Sequence, residues 1–114
     1  MDYKRGNIHL VNFNPQKKAE EIGKIRPAII LSDSELNEIL DLVTVVALTT
    51  NLIDDALPLR VRIPKREDLK EDSDAMVEQL RSVSKDRISQ KIASVSEVEL
   101  MLIEQGIKTM LDIK

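Results

Sequence analysis

Three residues have side chains and positions that could do chemistry: Glu21, Arg26 and Thr49. Arg26 comes directly before the apolar run Pro27–Leu31, and a residue before proline is biased towards an extended backbone. A guanidinium held there could donate two parallel hydrogen bonds to a phosphate and stabilise charge on a pentacoordinate phosphorus. The Thr49 hydroxyl follows an apolar segment and could donate to a phosphate oxygen. A salt-bridging arginine and a turn threonine explain the same pattern, because Thr-Thr-Asn is also common turn sequence.

The composition excludes several other kinds of site. Cysteine is absent and His9 is the only histidine, so neither a thiolate or multi-histidine metal centre nor a two-histidine acid–base pair can form within one chain. We interpret His9 as an ordinary strand residue. The acidic groups Asp54-Asp55, Glu67-Asp68 and Glu71–Asp74 lie in polar stretches, which favours solvated loops over a two-metal site. We therefore expect no metal and no cofactor.

Charge is distributed unevenly along the chain. The net charge of −3 argues by itself against a nucleic-acid partner. Residues 1–26, however, carry six basic and three acidic groups, so their local net charge is +3 and that of the remainder is −6. This pattern is compatible with a basic rim on an acidic body, or with a scatter of solvated charges. No apolar run is long enough for a membrane span, and no signal-peptide pattern is present, so we expect a cytoplasmic protein.

The elements that must position these residues are predicted to be mostly strands, because short apolar or alternating segments are separated by polar turns. A short helix is expected at Ser32–Leu40, with Ser32 and Glu35 as a capping box. Pro64–Asp74 is predicted to be a polar, turn-like segment, and Lys85–Arg87 a turn. The predicted strands are Gly6–Phe13, Pro27–Leu31, Leu42–Leu48, Pro58–Ile63, Ala75–Val83 and Ile88–Val95.

The last predicted element is an amphipathic helix. Ser96 and Glu99 form a second capping-box pattern. Because strands come first and a helix comes last, without regular alternation, the order favours an antiparallel α+β fold or a small barrel in a single domain, residues 1–114. Apolar residues follow the cap at helical spacing: Leu100, Ile103, Ile107, Met110 and Leu111.

Five ordered segments of this chain resemble the MazF/PemK (Kid) toxin family, and together they cover nearly its whole length. The resemblance implies a mainly β, SH3-like antiparallel barrel of the CcdB/MazF type, with a C-terminal helix, that forms a homodimer. The segments are Lys4–Ile8, Asn14-Pro15, Glu21–Ile30, Val45–Thr50 and Ala75–Val83.

The resemblance also implies a function. Members are toxins of type II toxin–antitoxin systems and sequence-specific endoribonucleases that cleave single-stranded RNA, often mRNA, without a metal. The ribose 2′-OH is the nucleophile, and the products carry 2′,3′-cyclic phosphate and 5′-OH ends. The partner is an antitoxin whose flexible C-terminal tail occludes the RNA groove, and contact with DNA is expected only through that antitoxin.

The family's site residues map onto positions already singled out. Arg26 and Thr49 match the catalytic arginine and threonine, and Glu21 matches an acidic residue near the site that could serve as the base. The remaining residues are expected to bind RNA, by steering its backbone, by lying beside Thr49 or by lining the groove: Lys17, Lys18, Lys24, Asn51, Glu78 and Gln79.

Two departures and two alternatives remain open. Many members carry an aromatic residue where this chain has His9-Leu10, and a glycine where it has Lys17–Glu20, so the cleavage sequence is not carried over. A CcdB-type gyrase inhibitor would need an aromatic C-terminal tip, but this chain ends Leu111–Lys114 and contains no tryptophan. The second alternative is a catalytically silent module that binds an antitoxin, against which the presence of Arg26 and Thr49 argues.

Overall fold

The computed structural model describes residues 2–13 and 25–114, and within them seven strands form one antiparallel sheet. In the same described ranges, two α-helices and two single 3₁₀ turns accompany the strands. The strands are β1 (Asn7–Asn12), β2 (Ile25–Ile30), β3 (Leu42–Thr49), β4 (Arg60–Ile63), β5 (Ser73–Met76), β6 (Arg81–Ser84) and β7 (Ile88–Ser94); the helices are α1 (Ser34–Ile39) and α2 (Glu97–Met110); the turns are Val77–Gln79 and Lys85–Arg87.

Strand β3 lies at the centre of this sheet. The strand order is β4-β5-β3-β2-β1-β7, and β6 also pairs with β3. One edge of β3 therefore pairs with β2, while the other pairs with β6 along its first half and with β5 at its end. The expected antiparallel, mainly β class with a closing helix is confirmed. Over the described residues the expected barrel is an open path whose end strands are β4 and β7.

Both faces of the central strands are buried. Val46 and Leu48 of β3 lie in one apolar cluster, which Ile103 of helix α2 also joins. Val43 and Val45 point to the opposite face and lie in a second cluster. Burial on both faces explains why β3 is a continuous apolar run rather than an alternating one. It also fixes the register, because a slip of one residue would exchange the two sets of side chains.

The predicted strand Ala75–Val83 is wrong as a single element. Leu48 pairs with Ala75, whereas Val45 pairs with Arg81, so five residues between these pairs (76–80) oppose two on β3 (46–47). The 3₁₀ turn Val77–Gln79 takes up the three extra residues, in the manner of an enlarged β-bulge. The predicted turn segment Pro64–Asp74 also extends too far, since Ser73 and Asp74 are the first two residues of β5.

The N-terminal cap of α1 differs from the prediction. The cap is Asp33, whose carboxylate accepts hydrogen bonds from the N–H groups of Glu35 and Leu36. Ser32 does not cap the helix, because its hydroxyl donates to the Asn37 side chain at 2.6 Å and accepts from a β3 amide. The helix therefore begins two residues later than predicted.

Helix α2 begins as expected, and an ion pair joins its first turn to the segment between β4 and β5. The capping box of Ser96 and Glu99 is present. Both carboxylate oxygens of Glu99 also accept hydrogen bonds from Arg66, at 2.7 and 2.6 Å. Gly106 is buried on the inner face of α2. Among the described residues, no helix is long and apolar enough to cross a membrane.

Gly106 is required by a close approach of α2 to the loop that contains Pro58 and to the 3₁₀ turn that begins at Val77. A Cβ atom at this position would lie 2.3 Å from the Pro58 carbonyl oxygen and 3.2 Å from Val77 Cγ1. We predict that Gly106→Ala lowers the free energy of unfolding by about 1–3 kcal/mol, because overpacking outweighs the better helix propensity of alanine. Urea denaturation measures the change, and Gln105→Ala at the exposed neighbouring position is the control. Equal or greater stability of Gly106→Ala would contradict this packing.

The Arg66–Glu99 pair predicts a pH dependence of stability. Burial alone would raise the pKa of Glu99, but hydrogen bonds from Arg66 and the Ser96 N–H, with the charge of Arg66, hold it below its ordinary value. A lowered pKa means stability that is present above pH 4.5 and lost as the pH falls through the folded-state value. We predict that Glu99→Gln costs about 2 kcal/mol at pH 7, and that the difference from the unmodified protein shrinks in acid. Denaturation curves between pH 7 and pH 3 measure this, with Glu97→Gln as the exposed control; a difference that does not vary with pH would refute the assignment.

Candidate active site

Arg26 and Thr49 lie beside each other at the ends of adjacent strands. Strands β2 and β3 pair with Ala28 opposite Ala47, and continuing this register by two residues brings Arg26 opposite Thr49. Side chains two apart on a strand share a face, so both residues lie on the face of those alanines. Both also line one cavity of about 280 Å³, together with Asn51. The structure thus brings together three of the residues that the sequence singled out.

A second cavity adjoins Arg26 on the same face. Its volume is also about 280 Å³, and Gln79 and Arg81 line it together with Phe13. The Arg81 guanidinium lies over the Phe13 ring, 5.2 Å from its centroid. Arg26 therefore stands between two cavities, and two guanidinium groups face the second one. Such an arrangement can bind an anionic chain that crosses both cavities.

The Thr49 hydroxyl has a defined orientation. Its oxygen accepts a hydrogen bond from the Asn51 N–H at 3.1 Å, and the side chain is half-buried. Because a hydroxyl carries a single hydrogen, this bond leaves that hydrogen to be donated away from Asn51. Such a donor beside a guanidinium can bind a second oxygen of the same phosphate.

Asp74 contradicts the interpretation of the acidic segments as solvated loops. Its side chain is 1% exposed and lies on β5, directly opposite Thr49. Its carboxylate accepts from Arg62 Nε at 2.6 Å and lies 3.6 Å from Arg60 Nη1. The surrounding acidic residues are polar loop residues as expected, but Asp74 is buried because two arginines on the neighbouring strand β4 compensate its charge.

Charge pairing sets the ionisation of this cluster. Burial alone would raise the pKa of Asp74, but hydrogen bonds from Arg62 and the Ile53 N–H, with the charges of Arg62 and Arg60, hold it below its ordinary value. The hydrogen bonds that Arg62 donates to Asp74 and Asp54 raise the pKa of its guanidinium. Asp74 is therefore ionised near neutral pH. Within residues 2–13 and 25–114, no three histidine or carboxylate side chains are grouped to hold a metal ion.

The other predicted site residues have different outcomes. Glu78 is directed towards Arg60, with Oε2 3.8 Å from Nε. His9 is a buried strand residue, as interpreted, with Nδ1 2.8 Å from the Ser89 carbonyl oxygen. Four predicted residues lie outside the described part of the chain, so their roles stay predictions: Lys17, Lys18, Glu21 and Lys24.

Sequence reasoning missed two contributors to this face. Arg81 was part of a matched segment but was given no role, because nothing in the sequence pairs it with Phe13. Thr50 lines the cavity beside Thr49 and was interpreted as turn sequence. Alternation along β6 places Arg81 on the same face as the buried Val83, which was the one available signal.

Known proteins share this sequence pattern and this fold. The endoribonuclease MazF of Staphylococcus epidermidis is 28% identical over 105 residues, covering 91% of this chain and 87% of that protein. The crystal structure of MazF (Form-I) from Deinococcus radiodurans has a TM-score of 0.80 at 21% identity, covering 99% of both chains. An endoribonuclease in complex with its cognate antitoxin from Mycobacterial species has a TM-score of 0.77 at 18% identity, covering 97% of this chain and 96% of that one.

The family assignment rests on a match over almost the full length. The sequence model of the family described as "PemK-like, MazF-like toxin of type II toxin-antitoxin system" matches residues 4–111. That range contains every strand and helix that the structure describes, and it includes both Arg26 and Thr49. The expected family and fold are thereby confirmed, and the chain belongs to the PemK-like, MazF-like toxin family of type II toxin–antitoxin systems.

Proposed function

We propose that this chain is a cytoplasmic endoribonuclease toxin that cleaves single-stranded RNA. The observation that carries the proposal is the placement of Arg26 and Thr49 side by side on one face, at a cavity that their side chains share. Curated relatives named endoribonuclease support the same activity. The face offers a guanidinium and a hydroxyl to one phosphate, which is the chemistry that phosphodiester cleavage requires.

The proposed reaction uses a nucleophile that RNA itself supplies. The ribose 2′-oxygen forms a bond to the adjacent phosphorus while the bond from phosphorus to the 5′-oxygen breaks. The products are a 2′,3′-cyclic phosphate and a 5′-OH. Arg26 binds two phosphate oxygens and stabilises the extra negative charge of the pentacoordinate transition state, while Thr49 donates to a phosphate oxygen and orients the group for in-line attack.

Proton transfer needs a further group. The 2′-OH must lose its proton as it attacks, and the departing 5′-oxygen must gain one. Arginine rarely deprotonates and threonine is a poor base, so neither described residue suits the first role. On the strength of the family resemblance, we assign the removal of the 2′-OH proton to Glu21. The departing 5′-oxygen takes its proton from solvent.

RNA binding extends beyond the reacting phosphate. Gln79 and Arg81 line the neighbouring cavity and Asn51 lines the reacting one, so bases or phosphates on either side of the cut can contact them. Glu78 is half-exposed beside Arg60 and lies at the margin of this track. Three lysines that precede Arg26 in the sequence would steer the RNA backbone through long-range electrostatic attraction: Lys17, Lys18 and Lys24.

The proposal includes two protein partners. A cognate antitoxin would cover the RNA face with a flexible C-terminal tail, and contact with DNA would come only through it. A second copy of the chain would form a homodimer. Exposed apolar side chains on α1 and the start of β3 give such a dimer surface to bury: Leu36, Ile39, Leu40 and Leu42.

Substitution at Arg26 or Thr49 should abolish cleavage without unfolding the protein. We predict that Arg26→Ala and Thr49→Val each lower the single-turnover rate on a long single-stranded RNA by about 10²–10³-fold, because each removes a donor to the transition state. Thr49→Ser, which keeps the hydroxyl, should retain most of the activity. Gel analysis in excess EDTA, with mapping of both product ends, measures the effect.

The matched controls are Lys108→Ala and Thr109→Ala, which remove a cation and a hydroxyl from exposed positions on α2. Both should cut at the normal rate and leave 2′,3′-cyclic phosphate ends. If the folded, antitoxin-free protein leaves many different RNA sequences intact, the activity is disproved and the silent antitoxin-binding module becomes the better account. Gyrase inhibition would then be the next assay.

Arg81 should contribute to RNA binding through the backbone. We predict that Arg81→Gln weakens binding of 2′-O-methyl RNA to a similar degree for different sequences, and lowers the slope of log affinity against log salt by about 0.7, the value for one lost phosphate contact on a single strand. Fluorescence anisotropy between 50 and 300 mM salt, roughly the range in which such contacts are screened, measures the slope. Lys108→Ala removes the same charge elsewhere and should not alter it. An unchanged slope in Arg81→Gln would remove Arg81 from the binding face.

A further inference from the structure

The buried carboxylate of Asp74 lies next to the Thr49 side chain. The two residues are direct partners in the β3–β5 pairing, so their side chains share a face and their Cβ atoms are about 5 Å apart. Asp74 is 1% exposed, although a charged side chain is rarely buried so completely. The proposed reaction uses Thr49 and assigns nothing to Asp74.

Asp74 is engaged on both carboxylate oxygens. Oδ1 accepts from Arg62 Nε at 2.6 Å, and Oδ2 accepts from the Ile53 N–H at 2.8 Å. The second oxygen also lies 3.6 Å from an Arg60 nitrogen. A carboxylate with these partners is a poor proton acceptor, because protonation would disrupt its contacts with two cations. Asp74 is therefore unsuited to be the missing base.

The partners of Asp74 hold the segment that follows Thr49. Residues 50–59 connect β3 to β4, and we call them the β3–β4 loop. Asp74 binds this loop directly through Ile53. Its two arginine partners bind the loop as well, since Arg60 Nη1 donates to the Asn51 carbonyl oxygen at 3.2 Å and Arg62 Nη2 donates to Asp54 at 2.8 Å. Three points of the loop are thus attached around one buried charge.

The loop in turn orients the Thr49 hydroxyl. Asn51 has its carbonyl held by Arg60 and donates its N–H to Thr49 Oγ1 at 3.1 Å. If the loop moved, that N–H would leave, and the hydroxyl would be free to rotate about its χ1 and C–O bonds. A misplacement of about 1 Å at a reacting group can cost on the order of 100-fold in rate. The position of Asn51 therefore matters for any donation by Thr49.

We propose that Asp74 is a positioning residue that acts through the β3–β4 loop to aim the Thr49 hydroxyl into the RNA-binding face. This rests on the proposed function for its effect on cleavage, but the placement of Asn51 can be measured without RNA. Asp74 itself touches neither the substrate nor the reacting atoms.

A double-mutant cycle between Asp74 and Thr49 tests the proposal. Asp74→Asn keeps the size of the side chain but removes its charge and one acceptor. We expect it to lower the single-turnover cleavage rate by about 10- to 100-fold with Thr49 present. In the Thr49→Val background the same change should lower the residual rate less than about twofold, because the group that Asp74 positions is already gone. Affinity for 2′-O-methyl RNA should change less than about threefold in both backgrounds.

Glu99→Gln is the matched control, because Glu99 is also a largely buried carboxylate that binds an arginine, Arg66, but it lies on α2. It should lower thermal stability and leave the cleavage rate intact. Arg62→Lys is a second variant for the case in which Asp74→Asn does not fold. It keeps the charge but loses the fork that joins Asp74 to Asp54, and it should show the same dependence on Thr49.

Amide hydrogen exchange reads out the position of the loop independently of activity. We expect faster exchange of the Asn51 amide in Asp74→Asn and Arg62→Lys, and no change in Glu99→Gln. The positioning role would be overturned if the double variant lost the product of the two single-variant rate losses. It would also be overturned if the Asn51 amide of Asp74→Asn exchanged as it does in the unmodified protein. If the unmodified protein cut no RNA, the proposed function would fail, and the exchange result alone would decide whether Asp74 places Asn51.

Discussion

The register between β2 and β3 is the constraint on which the candidate site depends. Ile29 lies opposite Val46, and both are buried in one apolar cluster, so the pairing is fixed by the same burial that stabilises the sheet. The register places Arg26 beside Thr49 on the other face. A slip of one residue would turn one of them away and expose buried side chains, so the proposed catalytic geometry and the core packing would be lost together.

Across the neighbouring strands, a row of polar side chains continues from this pair. Thr49 lies opposite Asp74, and Asp74 lies opposite Arg62, so cation, hydroxyl, carboxylate and cation follow one another across four strands, beginning at Arg26. Asp74 compensates the charge of Arg62 at the far end of the row, whereas Arg26 is exposed at the near end. One end of the row is thereby structural and the other is available to an anionic ligand. This division explains how an acidic chain could present the proposed phosphate-binding site at Arg26.

Local patterns predicted the parts of the fold that local physics decides. The apolar run of β3 and the capping box at Ser96 were read correctly, because burial and helix capping act over a few residues. Long-range pairing decided what the sequence did not show. Asp74 stands among other acidic residues and was interpreted as solvated, yet Arg62, on another strand, compensates its charge. The break at Val77–Gln79 follows from a register difference on β3, which no local signal encodes. Chemistry and the family resemblance grouped Arg26 with Thr49, and the register of the sheet supplies the geometry that places them side by side.

The central claim is that RNA binds across the face that carries Arg26 and Thr49. The most direct test is a titration of uncleavable 2′-O-methyl RNA into ¹⁵N-labelled protein, followed by amide chemical shifts. The account predicts that the largest changes fall at Thr49, Asn51 and Gln79, with the Arg26 side-chain Nε–H shifted as well. Changes concentrated instead on the exposed face of α2, around Met101, would contradict it.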